Sequence, residues 1–168
     1  KLFLKTEILE DINGMIATNR PRSSANKKLW TANFAVPEGE IIGNSQFETD
    51  RMQFIGRNGD LGAPSAMGDE TPLSGTDGTV LDPVMSMRLK GRVLPGKSLQ
   101  IAYVTAFSET REGLLSLIEK YSQNEFIDRG FTLAHTSGHL EAAYLDIAPS
   151  QLEIYQNMTA SILFSGPS

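Results

Sequence analysis

The sequence contains no cysteine among its 168 residues. Disulfides and cysteine-ligated metal sites are therefore excluded, and the composition fits a reducing compartment. No apolar run approaches the roughly 20 residues that a membrane-spanning helix needs, so we expect no direct membrane insertion. Positive charge is also scarce. The formal net charge of −5 argues against nucleic acid as the main partner, because phosphate-backbone binding needs a basic face.

Histidine and tryptophan are rare as well, with two His residues and one Trp. His135 and His139 are four residues apart, the helical spacing of a two-histidine metal site. No third ligand accompanies them and Gly138 weakens the helix, so we expect a solvated helix face and no metal ion. Trp30 could stack on a sugar ring. However, it begins a period-two apolar stripe that ends at Val36, which predicts a core side chain.

The first two-thirds of the chain have the patterns of β-strands. Apolar and polar residues alternate over 30–36, and a turn-rich tetrapeptide precedes a returning strand over 41–47. A second alternating strand runs over 85–93, with two methionines as core fillers, and Pro95-Gly96 supplies a tight reversal. Residues 99–107 are apolar on both faces, which predicts a central strand.

At Ser108 the apolar period changes from that of a strand to that of a helix. Ser108 is a good N-cap, and the helix it predicts has one apolar face formed by Leu114, Leu115, Ile118 and Tyr121. Asn124 and Pro149 begin two further predicted helices. The order predicts an α+β protein that is mainly β: an antiparallel β-sandwich over 1–107, then a helical segment over 108–168.

The most distinctive stretch is 46–57, where four charged side chains and two glutamines surround a few apolar residues. Thr49 is predicted to cap a short helical turn through its hydroxyl. That turn brings Phe54 inward and leaves Arg57 at the mouth of a loop rich in Gly, Pro, Ser and Thr over 58–78. Such a combination is typical of a site or a subunit contact.

Glu48 and Asp50 have the residue types of a glycosidase acid pair, but not its spacing. The paired carboxylates of glycosidases lie roughly 5 to 10 Å apart on opposite sides of a sugar, usually on different elements. We therefore predict backbone caps and ion pairs with Arg51 or Arg57. Glu48, Thr49 and Asp50 are accordingly predicted to be structural.

Several short motifs occur in a consistent order along nearly the whole chain. They are Thr18-Asn19-Arg20-Pro21-Arg22-Ser23, Val36-x-Glu38-Gly39-Glu40, Phe47-Glu48-Thr49-Asp50-Arg51, Phe54-Ile55-Gly56-Arg57, Pro72-Leu73-Ser74-Gly75-Thr76, Val80-Leu81-Asp82-Pro83-Val84, Leu94-Pro95-Gly96 and Asp146-Ile147-x-Pro149. In combination they resemble the amino-terminal β-sandwich domain of glycoside hydrolase family ninety-four, the glycoside phosphorylases. The resemblance is strongest to the phosphorylase-like part of bacterial cyclic β-1,2-glucan synthases.

The resemblance implies a supersandwich-like fold followed by linker helices and then an (α/α)₆ barrel that this chain does not contain. The sequence opens at Lys1 without an initiator Met. We therefore expect a piece of a longer parent protein, whose barrel, a β-glucan and a second copy are the expected partners. Cyclic glucan synthases are inner-membrane proteins as a family, so the resemblance implies a membrane-attached parent with this chain on the cytoplasmic side.

For function, the resemblance implies a glycosyltransferase or glycoside phosphorylase parent in which an Asp of the barrel is the general acid and phosphate is the nucleophile. No residue of this chain matches that motif, so no catalytic residue and no cofactor are expected here, with inorganic phosphate only as a substrate of the parent. Arg57, Asn58 and Gly59 are expected to border a sugar subsite. Arg51 is a second candidate, and a purely structural role for both arginines stays open.

We therefore expect a non-catalytic segment that scaffolds the barrel and frames a glucan subsite. Two alternatives remain. One is an independent carbohydrate-binding module, which would need an exposed aromatic platform. The other is a pure dimerisation or assembly domain.

Overall fold

The structure, a computed structural model, describes residues 4–21, 23, 26–57, 59–68 and 72–163. Two compact units divide the chain, Lys1–Asn124 and Glu125–Ser168. The strands of the first unit are β1 Leu4–Leu9, β2 Gly14–Asn19, β3 Trp30–Glu38, β4 Glu40–Ile41, β5 Gln46–Asp50, β6 Gly78–Thr79, β7 Pro83–Arg88, β8 Gly91–Arg92 and β9 Gln100–Ser108. The helices are α1 Arg51–Ile55, α2 Arg111–Tyr121, α3 Asn124–Tyr144 and α4 Pro149–Leu163. The predicted order of antiparallel sheets followed by C-terminal helices is confirmed.

The main sheet is antiparallel, with the strand order β6-β1-β2-β3-β9. β2 lies at its centre, and Met15 and Ile16 on opposite faces of that strand are both fully buried. Gly14 pairs with Phe34 on β3, and a Cβ at Gly14 would lie 2.5 Å from the Phe34 Cβ. Only glycine therefore allows the two strands to approach this closely.

One face of the main sheet is covered by α2, which packs on β3 and β9. Cross-strand partners share a face, so Glu7, Ile16, Ala32 and Ala106 form one row. The Arg111 guanidinium at the start of α2 contacts the Glu7 carboxylate of that row at 2.7 Å. Leu114 and Ile118, four residues apart on α2, are buried as their helical spacing predicts.

The opposite face of the main sheet meets the two-stranded sheet formed by β5 and β7. The contact is visible at Thr6 of β1, whose hydroxyl lies 3.2 Å from that of Thr49 on β5. Both threonines are buried. The first unit is thus a sheet with a helix on one face and a second, smaller sheet on the other, which is a sandwich with a helical layer added.

Four predictions for the strands differ from the structure. The single strand predicted over 85–93 is divided into β7, which pairs with β5, and β8, which pairs with β4. The predicted return over 41–47 is two separate strands, because β4 pairs with β8 while β5 pairs with β7. Trp30 was expected in the core, but it is half-buried and the Lys28 Nζ lies 4.8 Å from its ring centroid. The strand over 99–107 was expected to be central; instead β9 is the terminal strand of the main sheet.

The change from strands to helices occurs near the predicted boundary between residues 107 and 108, whereas the compact units divide after Asn124. The reason is that α2 packs on the main sheet and so belongs with the strands. The predicted cap at Ser108 is wrong. Thr110 is the N-cap of α2, because its hydroxyl accepts a hydrogen bond from the Gly113 N–H at 3.1 Å.

The second unit contains α4 and all but the first residue of α3. Asp146 ends α3 in the left-handed conformation, and α4 begins at Pro149 as predicted. The Gln151 side chain accepts a hydrogen bond from the Ala148 N–H at 3.1 Å, as in half of a capping box. Most of the apolar side chains in this unit are exposed, including Phe131, Leu140, Tyr144, Met158 and Ile162.

Candidate functional site

The distinctive stretch 46–57 forms β5 and α1, and residues 73–76, near the end of the long loop, are attached along β5. The Gln46 side-chain oxygen accepts from the Leu73 N–H at 3.3 Å, and the Phe47 carbonyl accepts from the Gly75 N–H at 2.9 Å. β5 therefore contacts β7 on one side and residues 73–76 on the other. This arrangement holds the end of the loop against the sandwich.

Glu48 is buried, with 2% of its surface exposed, and its hydrogen-bond donors among the described residues are backbone N–H groups. Its Oε1 accepts from the Asp50 N–H at 3.0 Å, and its Oε2 accepts from the Ser74 N–H at 3.2 Å. The predicted ion pair with an arginine is therefore wrong for Glu48. A carboxylate occupied by two backbone N–H groups inside the protein holds the loop in place and has no route to a substrate.

Thr49 is fully buried and does not cap α1 as predicted. Its hydroxyl donates to the Thr76 carbonyl at 2.6 Å. The Thr6 hydroxyl lies 3.2 Å from Thr49 Oγ1 and 3.1 Å from the Gly78 carbonyl oxygen, so it shares its proton between them. Thr49 thus joins the two sheets and the loop end.

Asp50 is the residue that caps α1, through a hydrogen bond from the Met52 N–H to Oδ1 at 2.8 Å. The next residue, Arg51, forms an ion pair with Asp82 at 3.1 Å, and its backbone N–H donates to the Asp82 carbonyl at 2.9 Å. The predicted pairing of the Glu48 and Asp50 carboxylates with Arg51 or Arg57 is not present among these residues. Arg51 connects α1 to the turn before β7, which is the structural role left open for it.

Arg57 lies just after α1 and is exposed, as predicted for the loop mouth. Asn58 lies outside the described residues. Gly59 is half-buried, and its N–H donates to the Gly56 carbonyl at 3.3 Å. A Cβ at Gly59 would lie 2.0 Å from the Ile55 carbonyl oxygen, so this glycine is required by the path of the backbone.

Arg88 of β7 is a loop anchor that sequence patterns missed. Its guanidinium donates to the carbonyl oxygens of Ala66 and Gly68, the latter at 3.3 Å, and to the Gln46 side-chain oxygen at 3.4 Å. The alternation of the strand showed only that Arg88 faces away from the methionines. Its carbonyl partners are about 20 residues away in sequence, and no local signal marks them.

A polar concavity that we call the β5 cleft lies at the start of β5. It consists of two adjoining hollows of about 400 and 320 Å³ that share Glu10, Ser45 and Phe47. Asn13, Gln46 and Asp77 contribute further amide and carboxylate oxygens. Such groups suit the hydroxyls of a neutral sugar, and the predicted residues Arg51, Arg57 and Gly59 are not among those that line the cleft.

The outer face of β9 carries exposed aromatic side chains. Tyr103 and Phe107 are 58% and 66% exposed, and Thr105 lies between them. We call these three residues the β9 face. Their partners on β3 include Asn33, whose side-chain amide donates to the Thr105 hydroxyl at 3.0 Å. The second apolar face of β9, the last strand of its sheet, is therefore exposed in this chain.

His135 and His139 lie side by side on α3, with their Nε2 atoms 3.0 Å apart and both rings exposed. In the part of the chain that the structure describes, no group of three or more His, Asp or Glu residues is arranged to hold a metal ion. Nor does any helix in that part have the length and apolar character needed to cross a membrane.

Comparison with known families identifies the first unit. The model of the glycosyl hydrolase 94 supersandwich domain matches residues 1–124. This chain belongs to that family. The match to the family model ends at Asn124, where the first compact unit also ends. The domain therefore includes α2, and α3 lies beyond it from Glu125 onward.

The chain is also similar to a characterised protein over nearly its whole length. It is 27% identical over 164 residues to the cyclic beta-(1,2)-glucan synthase NdvB of Rhizobium meliloti (strain 1021). The alignment covers 98% of this supersandwich chain and 6% of NdvB. The chain therefore spans about 6% of the length of the relative that it matches. The resemblance inferred from the ordered motifs is confirmed.

Proposed function

We propose that this supersandwich chain is a non-catalytic segment of a larger enzyme of β-glucan metabolism. There it scaffolds the catalytic barrel and frames a glucan subsite, while the parent acts as a glycosyltransferase or glycoside phosphorylase. Membership of the glycosyl hydrolase 94 family and similarity to a small part of a cyclic beta-(1,2)-glucan synthase support this proposal.

The observation that carries the scaffold role is the β9 face, which lies on the last strand of the main sheet among the residues that the structure describes. Edge strands in soluble proteins are normally short, charged or covered. β9 is nine residues long and presents Tyr103 and Phe107 to solvent. Exposed aromatic surface on the terminal strand of a sheet is typical of a protein interface, and the remainder of the parent is the partner we propose for it.

The β5 region supports the non-catalytic part of the proposal. Glu48 is occupied by backbone donors, Asp50 caps α1, and Asp82 is paired with Arg51. None of these three carboxylates is placed as a free acid opposite a second one across a sugar-sized gap.

The scaffold role is tested in the intact parent by changing both Tyr103 and Phe107 to Ser. We expect glucan synthesis or phosphorolysis to fall at least about tenfold and the parent to unfold at a lower temperature, because an apolar contact is lost. The stability of the 168-residue chain alone should not change, since both side chains are exposed in it. Lys97→Ser, an exposed change in the turn before β9, is the control. Unchanged activity and stability of the parent would remove the scaffold role.

The subsite claim has a separate test. Arg57→Ala and Asn58→Ala in the parent should raise KM for the glucan with little change in stability, because Arg57 is exposed and its guanidinium suits sugar hydroxyls. Gly59 is unsuitable for this test because any side chain there meets the Ile55 carbonyl. Wild-type KM values in both variants would remove Arg57 and Asn58 from the subsite while leaving the scaffold role intact.

An independent carbohydrate-binding module is the second candidate, and the β9 face is the observation that favours it. Tyr103 and Phe107 are four residues apart on a strand, so their Cα atoms lie about 13 Å apart on one face. A hydroxyl and an amide lie between them at Thr105 and Asn33. Titration calorimetry of the chain with β-1,2-glucan separates the candidates: millimolar or tighter binding that Tyr103→Ser abolishes favours the module.

A homodimer through the same face is the assembly alternative. Sedimentation of the chain that shows a dimer, together with no heat on adding glucan, would favour it.

We further propose that the parent is attached to the inner membrane with this chain on the cytoplasmic side, which fits a sequence without cysteine. Digestion of the chain by protease added outside intact spheroplasts would contradict that location.

A further inference from the structure

A basic concavity of about 350 Å³ opens at the ends of β1, β2 and β6. Its polar lining consists of Lys5, Arg20, Lys28, Thr18, Asn19 and Thr79. No carboxylate is present among the lining residues that the structure describes. It shares no lining residue with the β5 cleft.

The floor of the basic concavity is a cross-strand row of the main sheet. Lys5 pairs with Thr18 on β2 and with Thr79 on β6. Partners in register share one face of a sheet, and neighbouring strands are about 4.8 Å apart. The row therefore places Lys5 between two threonines, of which Thr18 donates its hydroxyl proton to the Leu29 carbonyl at 3.0 Å.

Lys28 is brought to the concavity by Asn19 at the end of β2. The Asn19 side chain donates to the Lys27 carbonyl at 3.1 Å and accepts from the Leu29 N–H at 2.6 Å. These two bonds fix the backbone on both sides of Lys28. The Lys28 Nζ lies 4.8 Å from the Trp30 ring centroid, a cation–π contact that restricts its position further.

The carboxylates next to this corner of the sheet have other partners. Glu7, two residues after Lys5, is paired with Arg111 at 2.7 Å. Glu109 is paired with Lys27 at 2.5 Å, and the hydrogen bond and charge of Glu109 raise the pKa of Lys27. Asp77 lines the β5 cleft instead. The basic concavity therefore concentrates three cations in a chain whose net charge is −5.

We propose that the basic concavity binds a phosphate-class anion, either free or carried on a monosaccharide. Lys5, Arg20 and Lys28 would supply charge-assisted hydrogen bonds, and the Thr79 hydroxyl would supply a neutral donor. The volume accommodates a phosphate group together with a pyranose ring. This proposal does not depend on the scaffold role or on the glucan subsite.

Titration calorimetry of the chain at low ionic strength tests it with inorganic phosphate, glucose 6-phosphate and glucose. We expect both phosphates to bind and glucose not to bind. Tighter binding of glucose 6-phosphate than of inorganic phosphate would identify a phosphorylated sugar as the ligand, and equal binding would identify the free anion. Lys5→Gln together with Lys28→Gln should weaken binding about tenfold, while Lys97→Gln outside the concavity should leave it unchanged.

A second measurement needs no variant. Adding inorganic phosphate to the wild-type chain should shift the backbone amide NMR signals of Lys5, residues 18–20 and Lys28, and 0.5 M NaCl should reverse the shifts. Absence of binding at low salt, shifts confined to other residues, or equal affinity of the double lysine variant and the wild type would each overturn the proposal.

Discussion

The two sides of the main sheet differ in how completely they are covered. At β2, Met15 on one face and Ile16 on the other are both fully buried. At β9, two strands away, Ala106 is buried on the α2 side while Tyr103 and Phe107 on the other side are exposed. On the face opposite to α2, β5 and β7 cover the sheet at β1, as the Thr6–Thr49 contact shows, while the β9 face on the same side stays exposed. One sheet therefore contains both a finished core and a surface suited to a partner.

The largest difference in stability is expected between substitutions of a buried and of an exposed phenylalanine of the main sheet. Phe34→Ala should lower the free energy of unfolding by about 3–5 kcal/mol, because Phe34 is fully buried in β3 and the change leaves a cavity. Phe107→Ala should change it by no more than about 0.5 kcal/mol. Urea unfolding of both variants measures the difference. A loss above about 2 kcal/mol for Phe107→Ala would mean that the β9 face is already covered in the isolated chain.

A smaller loss is expected at Glu48, which attaches the loop end to β5. Glu48→Gln keeps the shape but turns one acceptor oxygen into a donor, which then opposes the N–H of Asp50 or Ser74. We expect a destabilisation of about 1–3 kcal/mol. Glu119→Gln, an exposed change on α2, is the matched control and should be nearly neutral. Equal stability of the two variants would show that the buried carboxylate does not hold the loop.

The smallest effect is expected at the Arg51–Asp82 pair, whose side chains are 41% and 46% exposed. A double-mutant cycle with Arg51→Gln and Asp82→Asn should give a coupling energy of about 0–1 kcal/mol that shrinks in high salt. A coupling well above that range would mean that α1 depends on this ion pair and not on its Asp50 cap.

Sequence patterns predicted the elements whose signal is local. The apolar face of α2 and the start of α4 at Pro149 are where the helical period and the proline place them. The cap of α1 was misplaced by one residue because Thr49 and Asp50 are both good caps. The Thr49 hydroxyl is not available as a cap, because it accepts a hydrogen bond from the Thr6 hydroxyl and donates one to the Thr76 carbonyl.

Long-range partners could not be predicted from the sequence. The bond between Glu48 and the Ser74 N–H spans 26 residues, and Arg88 reaches two loop carbonyls about as far away. Likewise, apolar residues on both faces of β9 indicate burial on both sides but do not specify what provides it. In this chain α2 covers one side and leaves Tyr103 and Phe107 open on the other.

The most direct test of the scaffold role compares how accessible the β9 face is in the 168-residue chain and in the intact parent. The 168-residue chain has no cysteine, so Phe107→Cys introduces a single thiol there, and its maleimide labelling rate can be referred to that of the unfolded protein. In the parent, mass spectrometry of the peptide that contains residue 107 reports the labelling of the same thiol. We expect a rate near the unfolded reference in the 168-residue chain and at least a tenfold slower rate in the intact parent. Equal rates in the chain and in the parent would contradict the account.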